Sequence, residues 1–345
     1  MEAHTHGGDV YGLKGIEMDF SVNLNPLGMP VEVKCALAER LEEYARYPDW
    51  DCRELRSAIA AREGVAAESI LCGNGAADLI YRLCFGLKPK TVLVCAPTFS
   101  EYAKAARIAG GAVRFHHLAE AEGFAVTERI LQDISKGPEL VFLCNPNNPT
   151  GRLVPGDLLK TIAAQCDRQG ALLVVDECFL DFTAGVSAKQ WMDQYQNFVI
   201  LKAFTKNYAM AGLRLGYLMT RRPAVLEAVR VVAPPWSVSA PAQIGGVAAL
   251  SATGFLEETR ALVARERSFL AESIRRFGLK VYPGEANFLL CKSGQPLQAA
   301  LMAKGILIRS CGDYVGLDDR FVRICVKTRP ENERLLAALQ EVFHG

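Results

Sequence analysis

Short apolar runs alternate with helical patterns over the middle of the chain, and this alternation constrains the fold more than any other feature. The strand-like runs cover 69–72, 91–95, 140–144, 171–175, 198–201 and 214–219, and the helical patterns among them cover 76–86, 100–109 and 156–169. Strands that alternate with helices predict an α/β domain whose mainly parallel sheet has helices on both faces. In such domains ligands bind at the carboxyl ends of the strands.

The segments on either side of this region follow other patterns. Residues 1–30 are rich in Gly, Asn and Pro, so we expect an extended arm, followed by helices near 30–44 and 52–62. A long amphipathic stretch predicts an interdomain helix at 253–277, and the short patterns after it predict a smaller α+β domain. These patterns are strands near 281–282, 287–291, 307–309 and 321–326 and helices near 296–304 and 331–343.

The predicted organisation therefore has three parts. Residues 1–45 form the arm and first helix, which contribute to the small domain and the active site. Residues 46–252 form the large domain, and residues 253–345 form the interdomain helix and small C-terminal domain.

Composition argues against several classes of protein. A net charge of +1 over 345 residues gives no electrostatic basis for binding nucleic acid or an anionic membrane. No run approaches the roughly 18 consecutive apolar residues of a membrane-spanning helix, and the first eight residues lack the features of a signal peptide. The eleven cysteines are odd in number and form no CxxC pair, which favours reduced thiols over a metal site. We expect a cytoplasmic protein without a metal.

Three polar residues each follow a strand run, so all three can project into one crevice at the carboxyl edge of the sheet. Asn148 follows 140–144, Asp176 follows 171–175, and Lys206 follows 198–201, with Arg214 eight residues later. Singly, each has an ordinary explanation. Lys206 fits a solvated surface charge, Asp176 a helix or turn cap, and Asn148 an Asx-turn residue.

The turn CGNGAAD at 72–78 joins a predicted strand to a predicted helix. The free N–H groups of Gly75, Ala76 and Ala77 lie at the positive end of that helix, so the turn is a candidate phosphate cradle or, alternatively, an ordinary βα turn. Arg214 offers a planar guanidinium suited to paired hydrogen bonds with phosphate. Tyr102 offers either a flat wall for a ring-shaped ligand or a core-facing helix residue.

The ordered series of polar groups resembles the active-site series of the fold-type I pyridoxal 5′-phosphate enzymes, the aminotransferase superfamily. The residues that carry the resemblance are Asn148, Asp176, Lys206 and Arg214. The resemblance implies an α/β fold with a mainly parallel, seven-stranded-type sheet in the large domain and a smaller α+β domain. It also implies pyridoxal 5′-phosphate as the cofactor.

The resemblance gives each of these residues a role. Lys206 provides the amine that binds the cofactor aldehyde, and Asp176 keeps the pyridine nitrogen protonated. Asn148 hydrogen-bonds the phenolate oxygen, and Tyr102 stacks on the ring. Arg214 completes the phosphate cradle formed by the 72–78 turn.

The resemblance extends along nearly the whole chain and narrows to the branch that contains histidinol-phosphate aminotransferases and L-threonine-O-3-phosphate decarboxylases. Four segments favour the decarboxylases: HGG at 6–8, DFSVNLNPLG at 19–28, PWSV at 235–238 and DECF at 176–179. In the last of these, Phe179 stands where many aminotransferases of the branch have a tyrosine that hydrogen-bonds the cofactor.

The same resemblance implies a homodimer, and at one position of the cofactor site the chain departs from the family pattern. Tyr47 reaches the cofactor phosphate of the partner subunit, so the active site is shared between two copies. The position three before the lysine is often a serine that donates to the cofactor phosphate, and here it is Ala203. Thr205, directly before the lysine, offers a hydroxyl in place of the serine. If Thr205 does not contact the cofactor phosphate, we expect the phosphate to be bound more weakly.

The resemblance also implies a substrate site for a small phosphorylated amino acid. Arg323 matches the arginine that binds the substrate carboxylate, and Arg309 helps to hold the substrate phosphate. His6 approaches that phosphate from the arm, and Asn25 or Gly28 lines the carboxylate side. The alternatives are that both arginines are ordinary strand or surface charges and that His6 is a mobile terminal residue.

The leading hypothesis is decarboxylation of L-threonine O-3-phosphate for cobalamin biosynthesis. The second is a histidinol-phosphate:2-oxoglutarate aminotransferase, and decarboxylation of serine phosphate is a variant of the first. A non-catalytic pyridoxal phosphate protein or regulator is disfavoured, because the chain has no DNA-binding extension and every position except Ala203 fits catalysis.

Overall fold

A computed structural model describes residues 6–344. Its strands are β1 (Met18–Asp19), β2 (Ile70–Gly73), β3 (Thr91–Ala96), β4 (Ala112–His117), β5 (Leu140–Cys144), β6 (Leu172–Asp176), β7 (Phe198–Ala203), β8 (Gly216–Met219), β9 (Lys280–Val281), β10 (Phe288–Lys292), β11 (Ile306–Leu307), β12 (Arg309–Ser310) and β13 (Phe321–Cys325). Its α-helices are α1 (Val31–Glu39), α2 (Arg53–Glu63), α3 (Gly75–Leu87), α4 (Glu101–Ile108), α5 (Ile130–Ile134), α6 (Gly156–Gln169), α7 (Phe204–Asn207), α8 (Pro223–Val231), α9 (Ala240–Ser251), α10 (Phe255–Arg276), α11 (Gln298–Met302) and α12 (Arg329–His344).

A seven-stranded sheet forms the centre of the molecule, with the strand order β2-β8-β7-β6-β5-β3-β4. All neighbouring strands are parallel except β8, which runs antiparallel to both β2 and β7. Strands β5, β6 and β7 are buried along their whole length, and separate hydrophobic clusters cover the two faces of the sheet. The mainly parallel sheet predicted from the alternating pattern is confirmed.

A smaller four-stranded antiparallel sheet, in the order β12-β13-β10-β9, packs its own hydrophobic cluster against α10 and α12. Strand β1 of the arm pairs in parallel with β11, so the arm joins this smaller layer. Helix α1 instead packs against α9, so the arm and the first helix contact different parts of the molecule. Within residues 6–344, no helix is both long and apolar enough to cross a bilayer.

The sequence patterns predicted most of the elements and missed three of the longer ones. Strand β4, helix α8 and helix α9 were not predicted. Strand β4 lies at the edge of the large sheet and has mostly exposed, charged or histidine side chains, so it lacks the apolar run of a buried strand. Helix α9 contains the pair Gly245–Gly246, which weakens a helical pattern, although both glycines pack tightly against leucine side chains.

Candidate active site

A cavity of about 460 Å³ lies at the carboxyl ends of β5, β6 and β7, between the large sheet, the smaller layer and the arm. Parallel strands end at this edge, so the polar residues that follow them converge there. Among the residues named from the sequence, those that line the cavity are His6, Ala76, Ala77, Tyr102, Asn148, Asp176, Phe179, Ala203, Thr205, Lys206, Arg214, Arg309 and Arg323.

Lys206 is half-buried in α7, directly after β7. Burial and the nearby Arg323 guanidinium lower its pKa to about 8. Among residues 6–344, no carboxylate lies within ion-pairing distance of its ammonium group. A lysine in this setting has a large neutral fraction near neutral pH, which is the form that attacks an aldehyde.

Asp176 is the last residue of β6, and its side chain is buried. Its carboxylate accepts hydrogen bonds from the Tyr102 hydroxyl at 2.5 Å and from the Cys178 backbone N–H at 2.9 Å. Burial raises its pKa despite these hydrogen bonds. The Tyr102 ring also stacks on Phe142, with centroids 5.0 Å apart, so Tyr102 is both a core residue and part of the cavity wall.

Asn148 points into the cavity because neighbouring asparagines hold its loop. Asn147 bonds to Thr98 at 2.6 Å and to Pro97, and the Asn145 side chain accepts from a backbone N–H. The Asn148 carbonyl oxygen instead accepts a hydrogen bond of 2.6 Å from Arg323. Asn148 is therefore bound to the smaller layer.

The turn before α3 has the geometry of an anion cradle. Gly75 has φ +82°, and an added Cβ would lie 2.7 Å from the Arg214 guanidinium. A Cβ on Gly216 would lie 2.7 Å from the backbone nitrogen of Ala76. The backbone at the start of α3, β8 and Arg214 thus come together as closely as glycine allows.

The two arginines of the smaller sheet, Arg309 in β12 and Arg323 in β13, are both buried and line the cavity. Arg323 donates to Asn148 and to the Ser21 carbonyl oxygen, each at 2.6 Å, and lies near Tyr314. Arg309 pairs with Asp313 at 2.6 Å, and its guanidinium carbon lies 5.3 Å from the Tyr314 ring centroid. Two cations from separate strands therefore face the same cavity as Lys206.

Four of the residues named from the sequence do not line the cavity: Gly75, which lies beside Arg214 at the start of α3, and Asn25, Gly28 and Tyr47. The Asn25 side chain donates to the Asn207 carbonyl and to Thr259, both at 2.7 Å, so it supports the loop that follows Lys206. Gly28 lies outside the cavity, with open space around its α-carbon. Tyr47 is 80% exposed and stacks on Trp236, with centroids 4.4 Å apart.

The cavity also contains residues that the sequence did not single out. Ser21, Val22 and Asn23 come from the arm, and Glu101 and Tyr314 come from the two sides of the cavity. Glu101 directly precedes Tyr102, the residue that the resemblance assigned to the cofactor ring. Among the described residues, no cluster of His, Cys, Asp and Glu has the arrangement of a metal site.

The family model "Aminotransferase class I and II" matches residues 16–339. The chain is 39% identical to the threonine-phosphate decarboxylase of Salmonella typhimurium, over 95% of this chain and 92% of that protein. The structure of the histidinol-phosphate aminotransferase from Clostridium acetobutylicum matches with a TM-score of 0.88 at 29% identity, covering 94% of this chain and 98% of that one. The structure of L-threonine-O-3-phosphate decarboxylase from Porphyromonas gingivalis matches with a TM-score of 0.84 at 25% identity, covering 94% and 99%.

The cavity fits pyridoxal 5′-phosphate, the cofactor of these enzymes. It offers an amine with a lowered pKa and a buried carboxylate with no cationic partner among residues 6–344. It also has a glycine-lined helix start beside a guanidinium, where an added Cβ would clash. The protein is a pyridoxal 5′-phosphate-dependent enzyme and belongs to the class I and II aminotransferase family.

Proposed function

We propose that this enzyme decarboxylates L-threonine O-3-phosphate to (R)-1-amino-2-propanol O-2-phosphate, as a step in cobalamin biosynthesis. The observation that carries the proposal is the cavity in which Arg309 and Arg323 face the Lys206 amine. A substrate with two anionic groups matches this set, because guanidinium donors suit both phosphate and carboxylate. The similarity to the Salmonella threonine-phosphate decarboxylase supports the same assignment.

Five side chains are assigned to the cofactor. Lys206 binds the cofactor aldehyde through its neutral amine, which its lowered pKa favours. Asp176, which has no cationic partner among the described residues, pairs with the protonated pyridine nitrogen. Asn148 donates to the phenolate oxygen, Tyr102 packs on the ring, and Arg214 binds the phosphate. The bound cofactor supplies an electron sink for the electron pair of the broken bond.

The backbone at the start of α3 completes the phosphate site. The N–H groups of Gly75, Ala76 and Ala77 lie at the N-terminus of a 13-residue helix, where the helix dipole favours an anion. Thr205 is buried at the cavity wall and supplies the hydroxyl that Ala203 lacks.

In the substrate site, Arg323 binds the carboxylate and Arg309 binds the phosphate, with His6 on the phosphate side. Arg309→Ala is then expected to weaken threonine phosphate but to affect unphosphorylated threonine little, whereas Arg323→Ala weakens both. Loss of one charge-assisted hydrogen bond is worth about 1.5–3 kcal/mol, or about 10- to 150-fold in KM. Equal penalties on both substrates from Arg309→Ala would rule out the phosphate assignment.

The choice between decarboxylation and transamination depends on which substrate bond is perpendicular to the cofactor ring. Decarboxylation requires the bond from Cα to the carboxylate in that position, so the groups that hold carboxylate and phosphate select the reaction. Phe179 lines the cavity and packs edge-on against Phe288, with ring centroids 5.1 Å apart. Its side chain offers no hydroxyl to the phenolate oxygen, which supports the decarboxylase assignment.

A histidinol-phosphate:2-oxoglutarate aminotransferase is the second candidate, favoured by the TM-score of the Clostridium structure. Incubation with threonine phosphate separates the two, because we expect CO₂ and phosphorylated aminopropanol while the cofactor keeps its aldehyde-derived absorbance. Activity with histidinol phosphate and 2-oxoglutarate, without CO₂ from threonine phosphate, would overturn the proposal. Serine phosphate lacks one methyl group, so we expect it to react about 10- to 200-fold less well.

The proposed enzyme is a cytoplasmic homodimer that binds neither nucleic acid nor membrane. Tyr47, Trp50 and Trp236 form an exposed aromatic surface that a second copy would bury, and Tyr47 would then reach the partner's cofactor phosphate. Mixing inactive Tyr47→Ala with inactive Lys206→Ala subunits is expected to restore activity, because each hybrid dimer contains one complete site. No restoration after verified subunit exchange would contradict the shared site.

A further inference from the structure

Residues 6–8 of the arm are fastened beside the cavity at two points. His6 Nε2 lies 3.0 Å from Glu101 Oε1. Gly7 packs so closely that an added Cβ would lie 2.3 Å from the Ser21 carbonyl oxygen, and the Gly8 N–H donates to the Ser21 hydroxyl at 2.8 Å. Gly8 has φ +89°, which favours glycine at this turn.

Glu101 is a buried carboxylate at the cavity wall, which is an unusual group to face an anionic substrate. One of its oxygens contacts His6, and the other accepts a hydrogen bond of 2.6 Å from the Tyr81 hydroxyl. The His6 contact, supported by Tyr81, lowers its pKa to about 2, so it is ionised at neutral pH. A bare carboxylate would repel a phosphate dianion, so Glu101 is suited to hold the His6 imidazole rather than to bind substrate.

The fastened arm is also connected to the arginine that faces the cavity from β13. The Ser21 carbonyl oxygen, against which Gly7 packs, accepts a hydrogen bond of 2.6 Å from Arg323. Displacement of the arm from Glu101 would therefore change both the position of the His6 imidazole and the packing around the Ser21–Arg323 contact.

We propose that Glu101 is a positioning residue, which anchors His6 and so holds the arm over the cavity to favour phosphorylated substrates. The substrate part of this inference rests on the proposed function, whereas the anchoring part does not. An alternative is that Glu101 only stabilises α4, where it is an acidic residue in the first turn.

The test measures amide hydrogen exchange of residues 6–12 in the holoenzyme, together with kinetics. Glu101→Ala is expected to speed exchange in the arm and to raise KM for threonine phosphate about tenfold, with kcat little changed. KM for unphosphorylated threonine should rise much less, because the arm affects the carboxylate side only through the Ser21–Arg323 contact. Glu101→Gln keeps an acceptor for the imidazole and should recover part of the loss. Lys104→Gln is the matched control, because Lys104 is also paired with Glu101 but is more exposed and 3.8 Å away.

A second variant keeps both partners of the His6–Glu101 contact. Gly7→Ala adds a methyl group where the arm meets Ser21, so it should speed exchange of the arm and raise the same KM while Glu101 still stabilises α4. In a double-mutant cycle, His6→Ala and Glu101→Ala should be non-additive in KM by at least about threefold.

Unchanged arm exchange in Glu101→Ala, equal KM changes for both substrates, or additive effects in the cycle would overturn the inference. If threonine phosphate gives no CO₂ at all, the proposed function fails. The exchange data would still decide separately whether Glu101 anchors the arm.

Discussion

Two lysines four residues apart, Lys202 and Lys206, lie in opposite electrostatic environments. Lys202 is buried in β7 and forms ion pairs with Glu63 at 3.0 Å and with Asp181 at 3.6 Å. Burial alone would lower its pKa, but Asp181, Tyr217 and Glu63 outweigh burial and raise it well above the usual value. Lys206 has no such carboxylate among residues 6–344, and its pKa falls to about 8.

The carboxylates of the two regions show the same contrast. Glu63 contacts Lys202, Lys189 and Tyr217, which outweigh burial and lower its pKa to about 2. The Asp176 carboxylate accepts hydrogen bonds from Tyr102 and from Cys178, which are uncharged donors, and burial raises its pKa.

The core cluster of Glu63, Lys202 and their partners is thus already neutralised, whereas the cavity holds a lysine and a carboxylate that have no oppositely charged partner among residues 6–344. The Lys206 amine and the Asp176 carboxylate can therefore interact with a ligand that supplies the missing partners. Residue type alone does not distinguish the two regions, since each contains a lysine and a buried carboxylate. The groups around each residue determine whether it stabilises the fold or is available to react with a ligand.

The largest expected effect is that of Lys206→Ala, which should abolish turnover and covalent attachment of the cofactor. Borohydride reduction followed by peptide mapping checks the attachment. A label on any other lysine of the unsubstituted protein would contradict the role assigned to Lys206. A label on Lys202 would show that the ion-paired lysine is the reactive one.

Lys202→Met should lower stability rather than change the chemistry. Removal of one partner from a buried ion pair is destabilising, and because Glu63 keeps Lys189 and Tyr217 as partners, we expect a loss of up to about 3 kcal/mol, the lower end of the range for such pairs. Urea unfolding of the holoenzyme measures this loss, and borohydride labelling of Lys206 should persist in the folded fraction. Full stability of Lys202→Met would contradict the supporting role of the core cluster.

Asp176→Asn should leave the cofactor bound but reduce kcat by about 10²- to 10³-fold, the size of effect seen when one pre-placed electrostatic group is removed. An uncharged amide cannot keep the pyridine nitrogen protonated. Cofactor content is read from absorbance and turnover from CO₂ release. Near-normal turnover would contradict the role proposed for Asp176.

Acid should destabilise the core cluster through Glu63. Its pKa is 4.5 in the ordinary state and about 2 in the fold, so its contribution to stability is complete above about pH 4.5 and is lost as pH falls towards 2. The difference corresponds to about 3 kcal/mol. Urea unfolding between pH 5 and pH 2 measures it, and Glu63→Gln should show a smaller pH dependence over the same range.

The smallest expected effect concerns the charge that acts on Lys206 from across the cavity. Arg323→Met removes a cation that lowers the pKa of Lys206, so that pKa should rise. The pH dependence of aldehyde binding to the apoenzyme would then shift to higher pH. Arg309→Met is the matched control, since Arg309 also faces the cavity but is not among the main causes of the Lys206 shift. Equal shifts in both variants would point to a general loss of positive charge.

The alternating pattern of the chain was sufficient to predict the large sheet and the residues at its edge. Alternating apolar runs predict a parallel sheet, and the carboxyl ends of parallel strands lie at the same edge. Asn148, Asp176 and Lys206 follow such strands, so their convergence could be predicted without knowledge of their side-chain contacts. The turn at 72–78 was found for the same reason, because glycines between a strand and a helix have a direct backbone meaning.

Which polar groups pair with each other could not be predicted from the sequence, because these pairs form between distant segments of the folded chain. Glu63 and Lys202 are 139 positions apart, and Arg323 and Ser21 are 302 apart, so no local pattern contains either contact. The tertiary structure also placed Asn25 beneath the lysine loop rather than in the cavity wall, and it brought Glu101 to His6. Burial and pKa depend on atoms that meet in space. The position of Lys206 at the end of its strand could therefore be predicted from the sequence. The pKa values of Lys202 and Lys206 could not, because they depend on groups that are distant in the chain.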